Sequence, residues 1–250
     1  MIKSSKYVKK IRSTNVYDVA NKSPITKAEG LSLQYGNNIL LKREDMQPVF
    51  SFKLRGAYNK LSKLNKNGRN KSVIAASAGN HAQGVAFASL KLGLKATIVM
   101  PVTTPSIKID SVKRFGAKII LSGDNFDEAF KFAKEMSKKK KATFIHPYDD
   151  PDVIAGQGTI GMEIIEALDE DVDAIFVPVG GGGLLAGVGA YIKSINPKIK
   201  IYGVEPEDAA CLDAAVKANK RVSLKEVGLF ADGVAVKQIG KTTYSLIEEW

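Results

Sequence analysis

A lysine set between two large apolar residues is the first position in this chain suited to covalent chemistry: Ser51-Phe52-Lys53-Leu54-Arg55-Gly56. The stretch follows Pro48 and opens a helical pattern of apolar residues at Phe52, Leu54, Ala57, Tyr58, Leu61 and Leu64. An amine held among apolar neighbours loses its proton readily, and a neutral amine attacks a carbonyl to form a Schiff base. In a lysine-rich chain the ordinary reading of such a residue is a surface position on an amphipathic helix. Two other stretches weigh against that reading: Ser77-Ala78-Gly79-Asn80-His81 and Gly180-Gly181-Gly182-Gly183-Leu184. The tetraglycine follows an apolar strand pattern and opens a helix. Residues without Cβ let consecutive backbone N–H groups converge on an anion, and the helix dipole favours it further. No Gly-Lys-Ser/Thr follows, so this is not a nucleotide P-loop. The turn at Ser77–His81 is a second strand-to-helix junction, with Ser77 and Asn80 adding hydrogen-bonding side chains. An amine and two such turns are what a phosphorylated aldehyde cofactor requires.

A competing reading uses the same glycines. Gly181, Gly183 and Ala186 satisfy the dinucleotide spacing G-x-G-x-x-G/A, and Glu205 stands about twenty residues on, where an acid would meet a ribose hydroxyl. On that stretch alone a nicotinamide-dependent oxidoreductase stays open, as does a non-catalytic protein that keeps the fold. A nicotinamide site, however, leaves Lys53 and Ser77–His81 without a use. Taken singly, Asn80 reads as a helix cap and His81 as a packed or solvated ring.

The elements that must position these residues alternate. Strand patterns fall at 38–42, 73–76, 96–100, 118–121, 143–145, 174–179 and 199–204. Helical patterns fall at 52–64, 80–92, 106–115, 124–139 with Asp124 as N-cap, 152–168, 184–195, 209–218 and 241–250. Such alternation indicates βαβ units and parallel sheets. The apolar run Ala174-Ile175-Phe176-Val177 predicts a strand buried on both faces. Because the candidate sites lie on separate βα turns, two α/β lobes with a cleft between them are expected. Crossings near 42–47 and 146–151 divide the chain into a larger lobe, 1–43 with 146–250, and a smaller lobe, 44–145. The helical pattern at 245–250 meets no glycine, asparagine or proline that would end it, so the chain reads as part of a longer protein.

Composition narrows the class. Hydrophobic residues make up 44% and charged residues 25%, as in ordinary globular proteins. No run of about 18 apolar residues predicts a membrane span, and 1–20 has no apolar core for a signal peptide. The single cysteine, Cys211, forms no internal disulfide and agrees with a cytoplasmic setting. Of 37 basic residues only six are arginine, and they are not interleaved with aromatics, so the net charge of +11 does not predict a nucleic-acid partner. A positive field does favour an anionic cofactor and a carboxylate substrate.

The three stretches Ser51–Gly56, Ser77-Ala78-Gly79-Asn80-His81-Ala82-Gln83-Gly84 and Gly180–Leu184 together resemble the signatures of the pyridoxal-phosphate-dependent serine/threonine dehydratases of the tryptophan-synthase-β-like fold (fold type II). The likeness extends from about Val16 through 151–158 (PDVIAGQG) and Ala231-Asp232-Gly233-Val234. Ala209-Ala210-Cys211-Leu212 and the run 227–236 are most similar to biosynthetic threonine deaminases. The resemblance implies two doubly wound lobes, with the C-terminal part of the catalytic domain absent, and a homo-oligomer, dimer or tetramer. It implies deamination of L-threonine, and of L-serine, to a 2-oxo acid and ammonia, for threonine the first step of isoleucine biosynthesis. Lys53 would hold the cofactor and move the Cα proton. Phe52 would lie against the ring, Asn80 bind its hydroxyl, and Gly180, Gly181, Gly182, Gly183 and Leu184 the phosphate. Ser77, Ala78, Gly79, Asn80 and His81 would hold the substrate carboxylate through backbone and side-chain donors. Serine racemases carry a serine where this chain has Ala78, which cannot shuttle a proton. The family's cation-site pattern is met by Glu205 and Ala209, but Cys211 stands where a carboxylate is expected. The residue facing the pyridine nitrogen would lie beyond Trp250.

Overall fold

A computed structural model describes residues 4–66, 71–168, 172–228 and 230–250. Leu229, within the run 227–236, lies outside them.

The larger sheet has four parallel strands in the order β5-β4-β3-β6, with β3 at Ser72–Ala76, β4 at Lys95–Met100, β5 at Lys118–Leu121 and β6 at Thr143–Phe144. Successive side chains of a strand point to opposite faces, and both faces are covered. Val73, Ala75, Ile98 and Met100 pack against α3 (Lys53–Lys66), α4 (Asn80–Leu92) and α5 (Ser106–Lys113), while Ile74, Ala76 and Val99 pack against Ala129 and Ala133 of α6 (Phe126–Lys139). Asn125, not Asp124, caps α6. The Asn125 side chain accepts the Glu128 N–H at 3.1 Å, and the Glu128 carboxylate accepts the Asp124 N–H at 2.9 Å. A cap side chain reaches the N–H of the second or third helical residue, and Glu128 holds the third place after Asn125.

The second parallel sheet pairs β7 (Ala174–Pro178) with β8 (Lys200–Val204). Helices α7 (Pro151–Leu168), α8 (Gly183–Ile195) and α9 (Cys211–Lys217) enclose a core with Ile160, Val177, Val179, Leu185, Val188 and Leu212. The expectation that β7 is buried on both faces fails: Phe176 is 67% exposed and stacks on Tyr202 with ring centroids 4.9 Å apart. The helices cover the face that carries Val177 and leave the face that carries Phe176 open. A last helix, α10 (Lys241–Ile247), lies against α8.

Several elements have too little sequence signal to be legible. Helix α1 (Ser4–Arg12) is crowded with lysines, yet Tyr7 and Ile11, four apart, are 0% exposed and pack with Ile154, Ala186 and Tyr191. Helix α2 (Glu29–Tyr35) ends in Gly36 at φ 61°, and strand β1 (Ile25–Lys27) before it pairs antiparallel with β2 (Leu40–Lys42), which lies within the strand pattern expected at 38–42.

Candidate active site

Lys53 is the first residue of α3. Its Nζ donates to the carbonyl of Pro147 at 3.0 Å and lies 5.4 Å from the centroid of the Phe52 ring. Lys53 is half-buried, and desolvation by the protein around its amine lowers the pKa to about 8. At neutral pH roughly one molecule in ten therefore carries the uncharged amine.

Pro147 belongs to the connection between β6 and α7, and that connection touches all three candidate stretches. The carbonyl of Ile145 accepts a hydrogen bond from Nε2 of His81 at 3.1 Å. The ring of Tyr148 lies directly over the glycine turn: a Cβ on Gly181 would stand 2.3 Å from it, and one on Gly183 would stand 2.9 Å from the Tyr148 side chain. Only glycines let the turn pass beneath this ring. Gly182 adopts the left-handed φ of 85° as N-cap of α8, which is the second demand on the same run. Asp149 accepts the N–H groups of Lys241 and Thr242 at 2.9 and 2.7 Å, fixing the start of α10. From there Thr243 Oγ1 donates to the Gly181 carbonyl at 2.8 Å, so the turn is braced from both sides.

At the other turn, α4 is capped by Gly79 without a side-chain bond, and Asn80 stands exposed as the first helical residue. Asn80 is therefore not the helix cap. A Cβ on Gly79 would meet nothing within 4 Å, and Ser77 Oγ accepts the Gly79 N–H at 3.1 Å. The first N–H groups of a helix have no intrahelical partners, so the turn offers donors to an anion. The His81 residue is 3% exposed, its ring is hydrogen-bonded to the Ile145 carbonyl, and burial lowers its pKa to about 3, so the imidazole is neutral.

Glu205 settles the competing dinucleotide reading. Its carboxylate accepts the N–H groups of Leu212 and Asp213 at 2.9 and 3.0 Å and thereby caps α9, so it is not held ready for a ribose. Ala209 is buried in a short helical turn, and the Cys211 thiol approaches the Gly180 carbonyl at 3.4 Å. Among the described residues no group of three or more His, Cys, Asp and Glu could hold a metal ion.

Sequence reasoning missed Pro147 and Tyr148, and gave Arg55 no task. Arg55 is fully buried and donates to Glu44 at 2.8 Å and to Glu163 at 2.5 Å, with Lys42 also on Glu163 at 2.6 Å. The available signal was Glu163, which falls on the same helical face as the apolar residues Ile160 and Ile164 of the pattern 152–168 and is buried with them. The residues fit a phosphorylated aldehyde: a desolvated amine, a braced glycine turn that no Cβ could enter, and an open turn with exposed Asn80.

Comparison with known proteins agrees. The family model for pyridoxal-phosphate dependent enzymes matches residues 16–250. The chain is 57% identical over 243 residues to the chloroplastic biosynthetic threonine dehydratase 1 of Solanum lycopersicum, covering 97% of this chain and 40% of that one. It is 50% identical over 250 residues to the biosynthetic L-threonine dehydratase of Burkholderia multivorans, covering 99% and 49%. It thus spans less than half the length of these curated relatives. The solved structure of processed threonine deaminase isoform 2 from Solanum lycopersicum superposes with a TM-score of 0.95 at 52% identity, over 98% of this chain and 68% of that one. Maize serine racemase superposes with a TM-score of 0.91 at 32% identity, over 97% and 74%. With Lys53, the two turns and the matched span in agreement, the chain belongs to the family of pyridoxal-phosphate dependent enzymes.

Proposed function

We propose that this chain carries the greater part of a catalytic unit that deaminates L-threonine, and L-serine, by α,β-elimination of water. For threonine the products are 2-oxobutanoate and ammonia, the entry to isoleucine biosynthesis. The observation that carries the reading is the desolvated Lys53 amine, lowered to about 8 and joined through Pro147 to the segment that covers the glycine turn. The names of the relatives supply the substrate.

When bound, pyridoxal phosphate supplies the electron sink that makes the substrate Cα–H acidic. The chain's own residues do the rest. Gly180 to Leu184 hold the phosphate by backbone N–H groups at the head of α8. Asn80 hydrogen-bonds the ring hydroxyl and Phe52 packs on the ring. Ser77, Ala78, Gly79, Asn80 and His81 form the turn that holds the substrate carboxylate: Ser77, whose N–H is given to the Val99 carbonyl, acts through its hydroxyl, Asn80 adds its side-chain amide, and the N–H groups at the head of α4 supply the remaining donors. Fixing the carboxylate aims the Cα–H bond at Lys53, whose uncharged amine takes the proton. Ala78 has no group to return a proton to the opposite face, so racemisation is slow.

In this reading the lobes are 1–43 with 146–250, and 44–145. The cleft lies between the C-terminal end of β3 and the glycine turn after β7, where parallel sheets bind ligands. Among the described residues no helix is long and apolar enough to cross a membrane. A cytoplasmic homo-oligomer completes the reading, although curated plant and yeast relatives are named chloroplastic and mitochondrial.

The test is direct. The chain is loaded with pyridoxal phosphate, reduced with borohydride and digested, and turnover of threonine is followed by release of 2-oxobutanoate. Label on Lys53 together with turnover abolished in Lys53→Ala is expected. Label elsewhere, or turnover that survives the substitution, defeats the proposal.

A further inference from the structure

The cofactor reading leaves several residues of the quoted stretches without a task. They are Gly84, which closes 77–84, Gly156 and Gln157 near the end of 151–158, and Arg55, two residues past Lys53. The fold brings all of them onto the first turn of α3. From the α4 side, a Cβ on Gly84 would stand 3.1 Å from the backbone C and O of Lys53 and from the N of Leu54. From the α7 side, a Cβ on Gly156 would stand 2.6 Å from the Arg55 carbonyl oxygen, and the Gln157 side chain accepts the Gly56 N–H at 3.1 Å. Both neighbours touch main chain, which has no rotamer to yield.

The third side of this clamp is electrostatic. The Arg55 guanidinium forks onto Glu44, with Nε and Nη2 each at 2.8 Å, and onto Glu163 at 2.5 and 3.1 Å; it also meets Thr159 Oγ1 at 3.0 Å. With Lys42 on Glu163 at 2.6 Å, two cations face two carboxylates. Buried ion clusters add little stability over apolar residues of equal volume; their best-attested use is to select one arrangement.

The geometry points to Gly84, Gly156 and Arg55 as positioning residues for the Lys53 amine. The two glycines set how closely α4 and α7 approach the turn that carries Lys53, and Arg55 fixes the rotation of that turn against α7. This inference rests on the reading of Lys53 as the cofactor lysine. An amine at the end of a flexible stem is placed first by its backbone, and a displacement of about 1 Å in a reacting group can cost about a hundredfold in rate.

The experiment compares the unaltered chain with Gly84→Ala, Arg55→Lys and, as control, Gly30→Ala, where an added Cβ meets nothing within 4 Å. Each is mixed with pyridoxal phosphate across neutral to alkaline pH and trapped with borohydride. Label on Lys53 is quantified by peptide mass, and the thermal midpoint is recorded alongside. In Gly84→Ala the neighbouring backbone shifts by tenths of an ångström, so labelling of Lys53 slows about threefold to tenfold and its pH midpoint moves. Arg55→Lys keeps the charge, loses the planar fork and does the same. Gly30→Ala changes neither. Unaltered rate and unaltered pH midpoint in folded Gly84→Ala and Arg55→Lys overturn the proposal, whatever stability is lost. Should Gly84→Ala not fold, Arg55→Lys decides by the same two readouts. Absence of label from Lys53 in the unaltered chain is a different result: it removes the cofactor reading, and the clamp proposal with it.

Discussion

Replacing Lys53 with methionine should stabilise the chain while destroying its chemistry. Desolvation lowers the Lys53 pKa from 10.5 to about 8. At 1.36 kcal/mol per unit, keeping the ammonium in the folded protein costs about 3 kcal/mol. Methionine has similar volume and no charge, but it abandons the 3.0 Å bond to the Pro147 carbonyl, a loss of about 1 kcal/mol. The net gain near neutral pH is about 2 kcal/mol, or about 4–8 °C in thermal midpoint for a chain of this size. The sign depends on pH. Below about 8 both folded and unfolded chains hold the proton and the penalty is complete. Between about 8 and 10.5 the unfolded chain holds a proton that the folded one has lost, so stability of the unaltered protein rises with pH. Above 10.5 the penalty is gone. Urea unfolding of both chains at neutral and at alkaline pH checks this, because the difference between them cancels the titration of other groups. A methionine variant no more stable at neutral pH, or a difference indifferent to pH, would refute the claim that Lys53 is held in a desolvated place.

Other consequences follow from the neighbouring groups. Burial alone would raise the pKa of Glu163, but hydrogen bonds and charge from Arg55, then Lys42, win and hold it below its ordinary value. Its contribution is therefore present at neutral pH and lost as pH falls through that lowered pKa. Glu163→Gln, which leaves Arg55 and Lys42 short of a partner, should cost about 3–5 kcal/mol in urea unfolding at neutral pH. Gly181→Ala drives a Cβ to 2.3 Å from the Tyr148 ring and should lower the thermal midpoint sharply and abolish binding of pyridoxal phosphate. Adding Tyr148→Ala should restore part of both, a coupling that independent sites would not show. The His81 ring, with its pKa lowered by burial to about 3, should show no change in its proton resonances between about pH 5 and pH 8, where an ordinary histidine titrates.

Much of the site is local and therefore legible in the chain. A glycine turn between a strand and a helix, a lysine between Phe52 and Leu54, and a run from Ser77 to His81 are chemical statements made by adjacent residues, and the alternation of strand and helix placed them at the ends of parallel strands. Helix α4 at Asn80–Leu92 and strand β5 at Lys118–Leu121 fall where the apolar spacing put them. Contacts across long sequence separations were not legible. Tyr148 over Gly181, Arg55 on Glu163 and Asp149 at the head of α10 join residues between 33 and 108 positions apart. Periodicity reports which face of an element is apolar and carries no information about which other element will meet it. Nothing in the sequence says that the charged residues at 42, 44, 55 and 163 meet one another, because only the fold brings them together and removes their water. The sequence by itself therefore determined the kinds of chemistry and the turns that carry them. Tertiary structure alone decided how the Lys53 amine is desolvated and what holds it in place, because desolvation and close approach arise from atoms that distant parts of the chain bring together.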